Sequence, residues 1–128
     1  MSGDEDRTRK VLVVDDEPHI VRLVSFALAN HGFEVIDASD GEQAIELARQ
    51  ERPDIILMDV MMPVMDGLEA SKRLKGDPET AAIPIVMLSA KSQKYEQEAG
   101  LEGGAERYIV KPFTPKELVG EVHAILDA

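Results

Sequence analysis

Five short runs rich in Val, Ile and Leu recur along the chain, separated by longer stretches whose apolar residues fall at helical spacing. Short runs without polar alternation read as strands buried on both faces, and their alternation with helices reads as parallel pairing. The pattern predicts strands near residues 10–15, 34–38, 54–59, 84–89 and 107–111. Pro18 suits a first helical position, so a first helix runs from there to about Asn30, ahead of Gly32. A second helix covers roughly residues 41–51 and is stopped by Pro53. A third starts after Asp66-Gly67 and fades by Gly76-Asp77-Pro78. A fourth spans about 92–102, with Gly100, Gly103 and Gly104 at or near its end. The fifth opens on Thr114-Pro115-Lys116-Glu117, a capping box with proline in the first turn. Residues 1–9 (MSGDEDRTR) are polar, mixed in charge, and read as a loose tail. Residues 10–128 are expected to form one α/β domain, a three-layer α/β/α sandwich built by right-handed crossovers.

The residues at which these runs stop carry the chemistry. VLVVDD ends at Asp15 and Asp16, IILMD at Asp59, PIVMLS at Ser89 and YIVK at Lys111. Open parallel sheets bind ligands at the carboxyl ends of their strands, so three carboxylates, a hydroxyl and an ammonium are delivered to one crevice. Asp15 and Asp16 alone are explained equally well as a solvated flank of the first helix, where carboxylates favour the positive end of the dipole. Asp59 changes that balance, because a charge following IILM is costly unless it sits at the strand end with a partner. Clustered carboxylates raise one another's pKa unless a cation relieves the repulsion. Magnesium does so with oxygen ligands and keeps positions open for phosphate oxygens. Lys111 supplies a point charge for phosphate, and Ser89 is placed to donate to a phosphate oxygen.

Other candidates carry less. Asp66-Gly67 reads as turn chemistry. His19, His31 and His123 show no metal-ligand spacing, and His19 lies nearest the crevice. Met58, Met61, Met62, Met65 and Met87 read as fillers of core and loop gaps. Gly103-Gly104 ends a helix, and no GxGxxG or Walker pattern cradles a nucleotide.

Composition narrows the partners. The 128 residues suffice for one core, 44% apolar but only 4% aromatic, so Val, Ile, Leu and Met must fill it. A formal charge of −11 repels nucleic acid and anionic lipid, so neither is expected to bind directly. The absence of cysteine removes disulfides and thiolate sites. With no signal-like or membrane-spanning run, a soluble cytoplasmic protein is expected.

The assembled pattern, VLVVDDEP, IILMDVMMPVMDG, PIVMLSA and YIVKPF, closely resembles the receiver domain of two-component response regulators from Lys10 to the C-terminus. The resemblance implies a flavodoxin-like sheet of order 2-1-3-4-5. It also implies that Asp59 accepts a phosphoryl group from a histidine kinase or phosphotransfer protein. Asp16, Asp59 and the Met61 backbone carbonyl would bind Mg2+ directly, with Asp15 acting through water. Ser89, Lys111 and the backbone N–H groups of Val60 and Ala90 would receive the phosphoryl oxygens. Ser89 and Tyr108 would then switch the face of helix 4, strand 5 and helix 5 toward a downstream protein or output domain. The implied chemistry is self-phosphorylation and self-dephosphorylation rather than enzymatic turnover. Met61 and Lys91 match the positions that tune phosphate lifetime in this family, and their character points to slow loss.

Two local expectations follow. Lys111-Pro112 is expected to be cis, since the lysine must enter the crevice while Phe113 returns to the core, and X-Pro makes cis inexpensive at roughly 0.5–1 kcal/mol. On the output face, Arg107 and Glu121 reverse the acidic–basic pair typical of winged-helix relatives, and Gln97 replaces a basic residue of helix 4. The reversed charges can attract across a self-dimer or within one chain, and a monomer or weak dimer is expected before phosphorylation. Three other classes compete. A haloacid-dehalogenase-type phosphatase needs DxDx(T/V) on strand 1 and a cap domain. A flavodoxin-like carrier needs a Ser/Thr/Gly-rich phosphate loop where this chain has DDEP. A phosphorylation-independent interaction domain leaves the full residue set without a purpose.

Overall fold

A computed structural model describes residues 8–90 and 94–127. Strands β1 (Lys10–Val14), β2 (Glu34–Ala38), β3 (Ile55–Asp59), β4 (Ile85–Ala90) and β5 (Arg107–Lys111) alternate with helices α1 (Pro18–Ala29), α2 (Gly41–Glu51), α3 (Gly67–Lys75), α4 (Lys94–Glu102) and α5 (Pro115–Leu126). All pairings are parallel, in the order β2-β1-β3-β4-β5.

Alternation of side chains along each strand divides the interior into two cores. Val11, Val13, Ile55, Leu57, Val86, Leu88 and Ile109 face α1 and α5, where Val24, Leu28, Leu118 and Val122 close over them. Leu12, Val14, Ile56, Met58, Ile85 and Met87 face the other way, under Ala44 and Ala48 of α2 and Ala70 and Leu74 of α3. The three central strands are buried on both faces, as their unbroken apolar runs require, while edge strands β2 and β5 are partly exposed.

Local chemistry starts and stops the helices. Asp40 accepts from the Gln43 N–H, Asp66 from the Glu69 N–H, and Thr114 shares a reciprocal capping box with Glu117. Pro18 opens α1 without a side-chain cap. Arg52, left-handed at φ 46°, ends α2 before Pro53.

Differences from the sequence expectation are confined to ends. β1 stops at Val14, and Asp15 lies just beyond it with its N–H on the Ala38 carbonyl at 3.1 Å. β3 begins at Ile55; Asp54, just before it, donates its N–H to the Lys10 carbonyl at 2.8 Å and accepts the Lys10 N–H on its carboxylate at 2.7 Å. β4 continues one residue past Ser89, since Ala90 still pairs with Lys111. Arg9, the last residue of the expected tail, is tied down. Its carbonyl accepts the Glu34 N–H and its guanidinium pairs with Asp127 at 2.6 Å. The Lys111-Pro112 bond is cis. Among the described residues, no helix is long and apolar enough to cross a membrane.

Two glycines separate a positional need from a helical cost. A Cβ on Gly67 would lie 2.3 Å from the Asp59 carbonyl oxygen and 3.0 Å from the Val60 Cα, both backbone atoms that cannot give way. A Cβ on Gly120, inside α5, would meet nothing within 4 Å. Gly120→Ala should therefore stabilise the fold by about 0.5–1 kcal/mol. Gly67→Ala should destabilise it by about 1–3 kcal/mol or more. Urea denaturation checks both, and a Gly67→Ala protein as stable as wild type would contradict the tight α3–β3 approach.

Candidate functional site

At the carboxyl edge of the sheet, the ammonium of Lys111 lies 3.1 Å from Asp15 Oδ2 and 3.1 Å from Asp59 Oδ1. Glu17 Oε1 stands further off, at 3.9 Å. The lysine belongs to edge strand β5 and reaches toward Asp15, just past the end of β1, and Asp59, the last residue of β3. The strand in between, β4, ends in the small residues Ser89 and Ala90. Asp15 is 1% exposed and Asp59 6%, while Asp16 is open to solvent. The second Asp15 oxygen accepts the Glu17 N–H at 3.0 Å, so both its oxygens are engaged.

Charge is unbalanced here. One carboxylate oxygen from each of Asp15, Asp16 and Asp59 falls within 4.8 Å of the others, against a single ammonium. Burial, then the neighbouring Asp15 carboxylate, push Asp59 up to about 6, with Asp16 adding to the rise and Lys111 opposing it. For Lys111, burial works to lower the pKa, but Asp59 and Asp15 outweigh it, so its ammonium is held above the ordinary lysine range. Three hard oxygen donors with excess negative charge fit a magnesium ion, which keeps open positions for phosphate oxygens.

Ser89 is 1% exposed, and the bond recorded for its hydroxyl is a long one, 3.4 Å to the Ala90 carbonyl. It pairs with Val110 and sits one residue beyond the Asp59–Leu88 pair. Tyr108 lies two residues before Val110, so Ser89 and Tyr108 occupy neighbouring strands and share a face. Tyr108 is 39% exposed, as an edge-strand aromatic reaching solvent.

Other residues singled out in the sequence take varied places. The Val60 N–H donates to the Leu88 carbonyl at 3.2 Å, extending the sheet, so it is not free to receive a phosphoryl oxygen as it stands. Gln97 is a buried residue rather than a surface one, and its amide donates to the Ala90 carbonyl at 3.2 Å. Arg107 and Glu121 pair within one chain. His19 turns to Glu17, 3.5 Å away, and stays at the rim. Asp66 caps a helix, as turn chemistry requires. Lys91 lies outside the described residues.

Two features escaped sequence reasoning. Glu17 contributes a fourth carboxylate to the rim, a role that DDEP held in plain view. Val64 adopts φ 68°, and the Met65 N–H donates to the Pro63 carbonyl at 2.7 Å, a γ-turn centred on a β-branched residue. The loop from Met61 to Gly67 is thus strained at its tip and pinned at its end by the Gly67 N–H on the Val60 carbonyl at 2.8 Å. No apolar pattern reports such a turn.

The raised pKa of Asp59 sets a pH dependence in metal-free buffer. The folded state holds this proton more tightly than the unfolded chain. Ionisation therefore costs nothing below about pH 3.8 and its full amount above about pH 6. Asp59→Asn should be more stable than wild type at pH 8 by about 1–3 kcal/mol, with the gain shrinking toward pH 4. Urea denaturation in chelator at pH 8 and pH 4.5 measures it; equal stability at pH 8 would show that the Asp59 charge is not held at a cost.

The response regulator receiver domain profile matches residues 11–123. The chain is 47% identical over 118 residues to the alkaline phosphatase synthesis transcriptional regulatory protein PhoP of Bacillus subtilis, covering 92% of this chain and 48% of that one. It thus spans about half the length of the curated relatives it matches. A response regulator of Chloroflexus aurantiacus superimposes with a TM-score of 0.91 at 36% identity, over 95% of this chain and 100% of that one. The receiver domain of sensor histidine kinase PA1611 from Pseudomonas aeruginosa, solved with magnesium coordinated in its active site cleft, gives 0.88 at 30% identity, over 95% and 100%. The profile runs from the second residue of β1 into α5 and so takes in every strand that supplies the crevice; this chain belongs to the response regulator receiver domain family.

Proposed function

We propose that this chain is a phosphorylation-dependent switch whose Asp59 takes a phosphoryl group from a histidine kinase or phosphotransfer protein. The observation that carries the reading is the crowding of Asp15, Asp16 and Asp59 around one ammonium, with Asp59 raised and bonded to Lys111. Asp15, Asp16, Asp59 and the Met61 carbonyl are the groups that would hold Mg2+. When bound, the ion neutralises charge on the carboxylates and on the phosphoryl oxygens. Lys111 orients Asp59 through the 3.1 Å contact to Oδ1. An Asp59 oxygen then forms the new P–O bond in line as the P–N bond of phosphohistidine breaks, its electron pair leaving on the imidazole nitrogen. Lys111 and the Ser89 hydroxyl receive charge on the transferring oxygens, work that needs positioning rather than a general base. The product is an acyl phosphate, which water cleaves readily, so the mark is temporary.

Readout in this proposal begins when Ser89 turns to the phosphoryl group and Tyr108 follows into the space on the shared face. Phosphate contacts bias two packings of α4, β5 and α5, and a downstream protein or output domain binds one of them. Because Arg107 and Glu121 already pair within the chain, self-association through them requires breaking that pair; a monomer or weak dimer fits this. ATP-driven phosphodonors act inside the cell, so a cytoplasmic location goes with the reading. Family membership displaces the phosphatase and flavin-carrier alternatives.

Incubation with acetyl phosphate and magnesium should add one phosphoryl mass to wild type and none to Asp59→Asn. Magnesium should raise the melting temperature of wild type through mass action, and Asp16→Ala should lose most of that rise. A full mass gain in Asp59→Asn would overturn the acceptor assignment. Separately, Met61 cannot orient a water through its apolar side chain, so Met61→Asn combined with Lys91→Glu should shorten the phosphate lifetime. Decay as slow as wild type, followed by intact mass, would refute that role.

A further inference from the structure

Helix α4 makes, among its described residues, one contact that ends beside the crevice formed by Asp15, Asp59 and Lys111. Among its described residues only Gln97 and Gly100 are buried, and Leu101 remains 41% exposed. Gly100 packs close to Met87 and Leu68, where a Cβ would come within 3.2 Å of the Met87 side chain. Gln97 makes another attachment. Only 6% of it is exposed, and its Nε2 donates to the Ala90 carbonyl at 3.2 Å. A carbonyl can only accept, which fixes the amide nitrogen as the end facing β4. Leaving this buried donor unpaired would cost more than the bond itself contributes, so the side chain is committed to that carbonyl.

That carbonyl also accepts from the Ser89 hydroxyl, at 3.4 Å. The Ala90 peptide is thus where the crevice hydroxyl and the helix meet. Ala90 is also the register partner of Lys111, the ammonium that binds Asp15 and Asp59. We infer that Gln97 is the mechanical link between the crevice and α4, its buried amide making the helix follow the Ser89–Ala90 backbone. The inference rests on the phosphoacceptor reading of Asp59. When Ser89 turns its hydroxyl to a phosphoryl oxygen, the Ala90 carbonyl keeps Gln97 as its side-chain partner, and displacement of that peptide is passed to α4. Among the described residues of α4 only Gly100 is buried besides Gln97, so little of the described packing opposes the pull.

The test is hydrogen exchange read by mass spectrometry on the α4 segment, with and without acetyl phosphate and magnesium. It compares wild type with Gln97→Met, which keeps length and volume but removes the donor. Gln97→Leu serves as a second apolar variant should the methionine form fold poorly. Both variants should still take up the phosphoryl mass. Unloaded α4 should exchange about fivefold faster than in wild type, as loss of one net hydrogen bond implies, and phosphorylation should no longer change its rate. A phosphorylation-dependent change as large as in wild type overturns the inference, even if α4 exchanges faster in both states. So does a wild type that gains the mass without any change in α4. A wild type that gains no mass would instead bring down the acceptor reading itself.

Discussion

One ammonium shared by two buried carboxylates organises this molecule. Lys111 spans from β5 to Asp15 and Asp59, and its 3.1 Å contacts join the ends of three strands into one charged unit. Two buried carboxylates without it would face each other in a poorly solvated crevice, where removing one partner of a buried charge pair costs several kcal/mol. With it, a deficit of positive charge still remains, because Asp16 adds a third carboxylate and Glu17 a fourth at the rim. The crevice therefore keeps unrelieved negative charge, which attracts a further cation.

This arrangement explains why so much of the fold could be read from the sequence. A charge cannot sit within a strand buried on both faces, so the last apolar residue marks where the sheet edge must be. Asp59 after IILM and Lys111 after YIV fix the level of that edge on β3 and β5, and the helix signals between them fix the layers. What stayed illegible depends on single hydrogen bonds. Nothing in the sequence tells that Asp54 would turn back to cap β1, that Ala90 would extend β4, or that the Val60 N–H would join the ladder. Gln97 is the sharpest case. A glutamine among charged residues on a helix reads as surface, and only the position of one carbonyl makes it interior.

The loop after β3 shows the same division of labour at closer range. Gly67 must lack a side chain because the start of α3 rests on the backbone of Asp59 and Val60. That contact holds β3 and the loop bearing Met61 in a fixed relation. Between them Val64 sits in a left-handed γ-turn that a β-branched residue adopts only at a cost of order 1–3 kcal/mol. Strain persists where surroundings over-determine a conformation. Here the constraint comes from the Gly67 anchor on one side and the sheet bond of Val60 on the other.

Burial is distributed unevenly around this edge. The side of the sheet under α1 and α5 is filled with branched aliphatic side chains, and α2 and α3 cover the opposite side through alanines that let them lie close. These four helices hold the strands and hence the distances among Asp15, Asp59 and Lys111. Helix α4 lies on the second side as well, but among its described residues it contributes a glycine and an amide in place of an apolar face. On the proposed switch reading, the site needs the rigid part, and a surface that reports on it needs a part whose packing costs little to change. Gln97 of α4 and the Ser89 hydroxyl meet on one carbonyl, that of Ala90.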